Sequence, residues 1–185
     1  ANHLREVIFV GTVDNVEGLS DIIERYNVRK FCVDIAPETE LVRGLVRKHS
    51  GRGWMCRYNE NQTGQAKWND EEHIVTVNRT ESLDSSQKLL VKRLIALPRR
   101  CGTVEEFALH CQNSKRKYDS ESKPPRYVWI ETGPDHYRHA FNYDALCWYD
   151  SKAQINPQPG IIKLSGDSFY KPNMNKRTNT IHLGW

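Results

Sequence analysis

VIFVGTVDNVEGLSDIIERYNVRKFCVDIAPE, residues 7–38, changes its apolar period twice. Its opening, together with Glu6, is dense in β-branched and aromatic residues and predicts a strand over 6–13. Val16, Leu19, Ile22, Ile23 and Tyr26 then recur at helical spacing. The run KFCVDI is short, almost wholly apolar and closed by Asp34, which suits a strand buried on both faces. Strand, helix and strand in this order are the beginning of an α/β fold with parallel strands.

The alternation continues downstream. Pro37 and Thr39 introduce a helix with Leu41, Val42, Leu45 and Val46 on one side and Arg43, Arg47 and Lys48 largely on the other. GWMCRY and HIVTVN read as strands, with a polar loop expected over 59–72. A helix is predicted from Thr80 to Leu97, stopped by Pro98, and Thr103 with Glu106 forms a capping-box pattern for another helix through Cys111. SKRKYDSESKPP reads as a solvated loop and RYVWIE as a strand. The last helix begins at Gly133-Pro134, and after Ser151 the composition turns to Asn, Pro, Lys and Gly, where a hairpin is the most that is expected.

A chain of 185 residues has room for one ordinary domain and a tail. Twenty-seven Lys and Arg against 23 Asp and Glu give a net charge of +4, which permits a polyanionic partner without demanding one. Five cysteines without a C-x-x-C pair read as reduced thiols and write no zinc site. No apolar run approaches the roughly 20 residues of a membrane span, and the N-terminus lacks the order of a signal peptide. An intracellular, soluble protein is expected.

Two places carry candidate chemistry. Asp34 ends a buried parallel strand, where open α/β sheets form their ligand crevices, although a turn residue before Pro37 would look the same. The second place is GPDHYRHAFNYDALCWY, residues 133–149. With Asp135 set at zero on a helical wheel, His139 falls at about 40°, Asn142 at about 340° and Arg138 at about 300°, one polar sector, while Asp144 falls at about 180°. One aspartate can therefore share a site with Asp34, and the other is expected to stay out of it. His139, one turn from Asp135, is a candidate ligand or proton carrier. Two or three carboxylates around Mg²⁺ or Mn²⁺ are what phosphodiester hydrolysis commonly needs: hard oxygen ligands for a hard cation that activates water and steadies the leaving oxygen.

Three stretches in this order resemble the nuclease domain of the large terminase subunit of tailed bacteriophages, a member of the ribonuclease H-like superfamily. They are residues 7–38, VNRTESLDSSQKLLVKRLIALP and GPDHYRHAFNY, the last similar to a D-H-x-x-D-A-x-x-Y helix. The resemblance covers roughly residues 5 to 150. It implies a ribonuclease H-like mixed sheet flanked by helices over 1–150, N-terminally incomplete, followed by the tail 151–185. It also implies a divalent-metal-dependent endonuclease that cuts concatemeric double-stranded DNA during viral packaging, using two Mg²⁺ or Mn²⁺ ions. The partners that follow are the packaging ATPase domain, the portal and the small terminase subunit, in the host cytoplasm and outside the mature virion, with no membrane.

Carried over by residue, Asp34 matches the acid that ends a family strand and Asp135 the helix acid, whereas His139 stands where many relatives have another Asp. A second alignment places YDALCWY on the motif and makes Asp144 the metal-binding acid. The family's first acid lies on a strand ahead of VIFVGTV, and a G-x-x-x-x-G-K-[ST] loop for the ATPase is absent from the sequence, so a C-terminal piece of a larger protein, or one half of a site that another segment completes, is expected. Arg43, Arg47, Lys48, Arg52 and Arg57 are the candidate DNA-binding cations, with Lys115, Arg116 and Lys117 a second run. Trp185 is a candidate anchor for a partner. The competing expectations are a non-catalytic module that grips DNA or docks on the portal, and an α/β enzyme for a small phosphorylated ligand.

Overall fold

The computed structural model describes residues 4–154 and 181–184. Its elements in chain order are β1 (Arg5–Glu6), β2 (Phe9–Thr12), α1 (Val16–Arg25), β3 (Phe31–Asp34), α2 (Thr39–Lys48), β4 (Gly53–Tyr58), β5 (Lys67–Asn69), β6 (Ile74–Val77), α3 (Arg79–Val91), β7 (Ile95–Ala96), α4 (Gly102–Asn113), β8 (Ser114–Asp119), β9 (Arg126–Glu131), α5 (His136–Gln154) and β10 (Ile181–Gly184). A four-stranded sheet in the order β3-β4-β6-β5 forms the centre, with β3, β4 and β6 parallel and β5 antiparallel at the edge. The expected mixed α/β architecture is present. Three two-stranded pairings complete it: β1 with β7 and β2 with β10, both parallel, and the antiparallel β8–β9 hairpin.

Alternation along the strands assigns the two faces of the central sheet. Phe31, Val33, Met55 and Ile74 face α1 and α2, where Leu19, Ile23, Val42, Leu45 and Val46 close one core. Gly53 is required there, because a Cβ would stand 3.1 Å from the Cα of Val46. Cys32, Trp54, Cys56, Val75 and Val77 face the other way, onto Tyr143 and Cys147 of α5. A third cluster, Leu89, Phe107, Tyr137, Phe141 and Ala145, joins α3 and α4 to the far side of α5. Packed on several sides at once, α5 is an interior helix rather than an amphipathic one.

Several expectations are corrected. The predicted strand 6–13 is interrupted at Val7 and Ile8, so β1 and β2 pair with different partners. The helix expected over 80–97 ends at Val91: Arg93 takes a left-handed φ of 52°, and Ile95–Ala96 leaves to pair with β1. The Thr103 capping box does not form, since α4 starts at Gly102 behind Cys101 and Glu106 lies 3.8 Å from His110 instead. Within the expected loop 59–72, Lys67–Asn69 pairs with β6, and Trp68 packs edge-on against Trp54 at 4.7 Å. SKRKYD, expected as loop, is strand β8. All five cysteines are free. Most of the tail, 155–180, and Trp185 lie outside the described residues, while 181–184 return as β10 beside β2.

Candidate functional site

The three parallel strands end together at Asp34, Tyr58 and Val77, and α5 begins across that same edge. Asp34 shares its sheet face with Cys32, so its half-buried carboxylate points toward α5. There the Tyr143 hydroxyl donates to Asp34 Oδ2 at 2.6 Å, and the Ala36 N–H donates to Oδ1 at 3.1 Å. The second bond is the turn role before Pro37, and it coexists with an oxygen aimed into the molecule.

Asp135 stands immediately before α5, its carbonyl accepting from the N–H groups of Arg138 and His139. Its side chain is buried, and Oδ2 lies 3.3 Å from His139 Nε2 without an aligned hydrogen bond. Burial pushes this carboxyl up, but the adjacent His139 imidazole, with Arg79 and His136 nearby, outweighs it and holds Asp135 below the usual carboxylate range. The other imidazole nitrogen, Nδ1, is 2.9 Å from the Tyr58 hydroxyl. Tyr58 in turn stacks at a tilt on Tyr143, with ring centroids 5.8 Å apart, and burial raises the pKa of both phenols. Asp34, Tyr143, Tyr58, His139 and Asp135 thus form a chain of contacts along the strand ends, made of two hydrogen bonds, a ring contact between the two tyrosines and the close approach of His139 to Asp135.

A second layer fixes that chain. Asn142 donates to the hydroxyls of Tyr58 at 3.1 Å and Ser82 at 3.0 Å, and accepts from Ser86 at 2.7 Å. Arg138, fully buried, donates to Ser86 Oγ and to the Leu83 carbonyl. The polar sector read from the helical wheel, Arg138, His139 and Asn142, is therefore turned inward against α3 and β4. Sequence reasoning placed Asn142 in that sector and missed Tyr58 and Tyr143 as members of the site. Their signals were present: Tyr58 ends a parallel strand as Asp34 does, and Tyr143 follows His139 by one helical turn.

Asp144 lies outside this group. On the opposite side of α5 its Oδ2 meets Arg5 Nη1 at 3.4 Å, and the Arg5 guanidinium sits 3.9 Å over the Trp148 ring. Burial, only partly offset by Arg5, pushes the Asp144 carboxyl up to about 7. Among the described residues no three His, Cys, Asp or Glu side chains converge to hold a metal ion.

The candidate DNA-binding cations divide. Arg43, Arg47 and Arg57 line a cleft of about 300 Å³ with Met55, Glu72 and His73, on the sheet face opposite the two aspartates. Arg52 instead bonds Glu24 at 2.5 Å, beside His49. Lys48 is exposed at the end of α2. Ser20, His49 and Glu24 also line up, with Ser20 Oγ 2.6 Å from Nε2 and Glu24 Oε1 3.2 Å from Nδ1. Ser20 and His49 are both 3% exposed, so this arrangement ties α1 to α2 and offers no nucleophile to a substrate.

No family model, curated protein or solved structure matches the chain. No described helix is long and apolar enough to cross a membrane.

Proposed function

We propose that the strand-end edge is part of a phosphodiester-hydrolysing site, and that the chain is the ribonuclease H-like nuclease domain of a viral DNA-packaging terminase. One observation carries this reading: Asp34 and Asp135, a hundred residues apart in sequence, reach the same edge of a parallel sheet and are joined there through Tyr143, Tyr58 and His139. The donor set suits a hard divalent cation in part. Asp135 Oδ2 is a buried carboxylate oxygen without an aligned hydrogen bond, and Asp34 offers a second oxygen-donor group. Mg²⁺ or Mn²⁺, two ions in the full site, would supply water activation and neutralise charge on the phosphate.

In this reading Asp34 and Asp135 hold metal, and a further acid comes from outside the described residues. His139 accepts or passes a proton along its contact with Tyr58. Tyr58 and Tyr143 position the relay, and Asp144 has a structural role. Double-stranded DNA is the substrate, and the packaging ATPase domain, portal and small terminase subunit are the proposed partners, in the cytoplasm of an infected host. Plasmid nicking with Mg²⁺ and with Mn²⁺ tests it, comparing this chain with its Asp34→Asn and Asp135→Asn variants. Metal-dependent nicking lost in both variants is expected. Nicking that survives Asp34→Asn would refute the assignment, and silence from the wild-type chain would leave a non-catalytic DNA-gripping or docking module.

A further inference from the structure

The β8–β9 hairpin has two unlike faces. Directly opposed residues share a face, so Arg116 with Trp129 and Tyr118 with Tyr127 lie on one, and Lys115 with Ile130, Lys117 with Val128 and Asp119 with Arg126 on the other. The first face is clamped to α3 at its Arg116–Trp129 end, while Tyr118 and Tyr127 farther along it are exposed. Arg116 and the Trp129 indole N–H both donate to Asp84, at 2.8 and 2.9 Å, and Arg79 donates to the Trp129 carbonyl at 2.8 Å. Arg116, which the sequence groups with its neighbours, is thereby spent on the fold.

The second face is left open. Lys115, Lys117 and Arg126 are exposed, and among the described residues no side-chain hydrogen bond or ion pair is formed by any of the three, whose backbones belong to the ladder. The one acid on that face, Asp119, turns its Oδ1 back to the N–H groups of Glu121 and Ser122 at the hairpin's own bend. Three such cations around the apolar Val128 and Ile130, on a ribbon bonded to α3 through Arg116 and Trp129, complement a phosphate backbone. A two-stranded ribbon also has the width that the major groove of B-form DNA admits. Its position fits the site described above, because β9 leads through three residues, Thr132, Gly133 and Pro134, into Asp135.

We propose that the open face of this hairpin is a duplex-DNA contact, with Lys115, Lys117 and Arg126 on phosphates, delivering the backbone to the edge that carries Asp135. The proposal rests on the nuclease reading for the identity of its ligand. Its test is fluorescence anisotropy of a labelled DNA duplex in EDTA over a salt series, using the full chain. The combined Lys115→Gln, Lys117→Gln, Arg126→Gln variant is compared with wild type and with Arg47→Gln/Arg57→Gln in the cleft. Each phosphate contact contributes a salt slope of roughly 0.9, so the hairpin variant is expected to lose about 2 to 3 from its slope and roughly tenfold or more in affinity. Unchanged slope and affinity in the hairpin variant would overturn the hairpin assignment, as would a wild-type chain that binds no duplex. Equal losses in the Arg47→Gln/Arg57→Gln variant would mark a general effect of lost positive charge and would also overturn the hairpin assignment. Asp34-dependent nicking, measured separately, shows whether the nuclease reading falls with it.

Discussion

Asp135 and Asp144 belong to one short segment and meet opposite surroundings, and the difference is one of compensation. Asp135 lies among His139, Arg79 and His136, and its charge is favoured in spite of burial. Asp144 has a single cationic neighbour, Arg5, itself desolvated, and a buried pair of this kind does not recover the full cost of leaving water. Its carboxyl is raised from 3.8 to about 7, so between those values the folded state holds a proton that the unfolded state releases. That contribution is fully present below pH 3.8 and is lost as pH rises through 7. Asp144→Asn is therefore expected to gain stability relative to wild type between pH 4.5 and pH 7.5, measured by urea denaturation at the two values, and to keep any nicking activity. A difference between the two proteins that does not change with pH would show that Asp144 is ionised throughout.

At the scale of elements, α5 governs the site because it is buried on several sides, and a buried helix needs its polar side chains satisfied. Asn142 does most of this, bridging Tyr58 on β4 to Ser82 and Ser86 on α3. Asn142→Ala would remove three side-chain hydrogen bonds, while Tyr58 keeps His139, Ser82 keeps the Arg79 carbonyl and Ser86 keeps Arg138, and it is expected to cost about 1–2 kcal/mol, read as a lower urea midpoint with an unchanged slope. Loss of less than about 0.5 kcal/mol would mean that these hydroxyls find other partners. The same dependence on neighbours explains what could be read from the sequence. Helices α1 and α2 and strands β3, β4 and β6 follow from local periodicity, and Asp34 and Asp135 stand out as acids at element boundaries. Strands β5, β7 and β8 carry no such pattern, because Lys67–Asn69 and Ile95–Ala96 are defined only by partners elsewhere, and the charges of SKRKYD conceal its pairing with RYVWIE. Tyr58 and Tyr143 look like core aromatics until the face that α5 turns to the sheet is known.

At the scale of the whole molecule, the chain's last described residues close its first part. Among the described residues strand β2 has one strand neighbour, β10, paired in parallel from Phe9 opposite Ile181 to Thr12 opposite Gly184, and β10 also lies against α5. The dependence runs further inward, because Val10 of β2 packs on the cluster that contains Tyr137 and Phe141 of α5. Removing residues 155–185 would leave the backbone groups of β2 without their ladder, at a cost on the order of 2 kcal/mol for two or three such bonds. For a chain of this size that corresponds to a melting temperature lower by roughly 4–8 °C. The loss should be local in its signature: in hydrogen exchange the Phe9–Thr12 amides lose protection, while those of β4, bonded to β3 and β6, keep theirs. Equal protection of Phe9–Thr12 in the shortened and full chains would mean that β2 is held by its packing on α4 and α5 and that the return of β10 adds nothing to it.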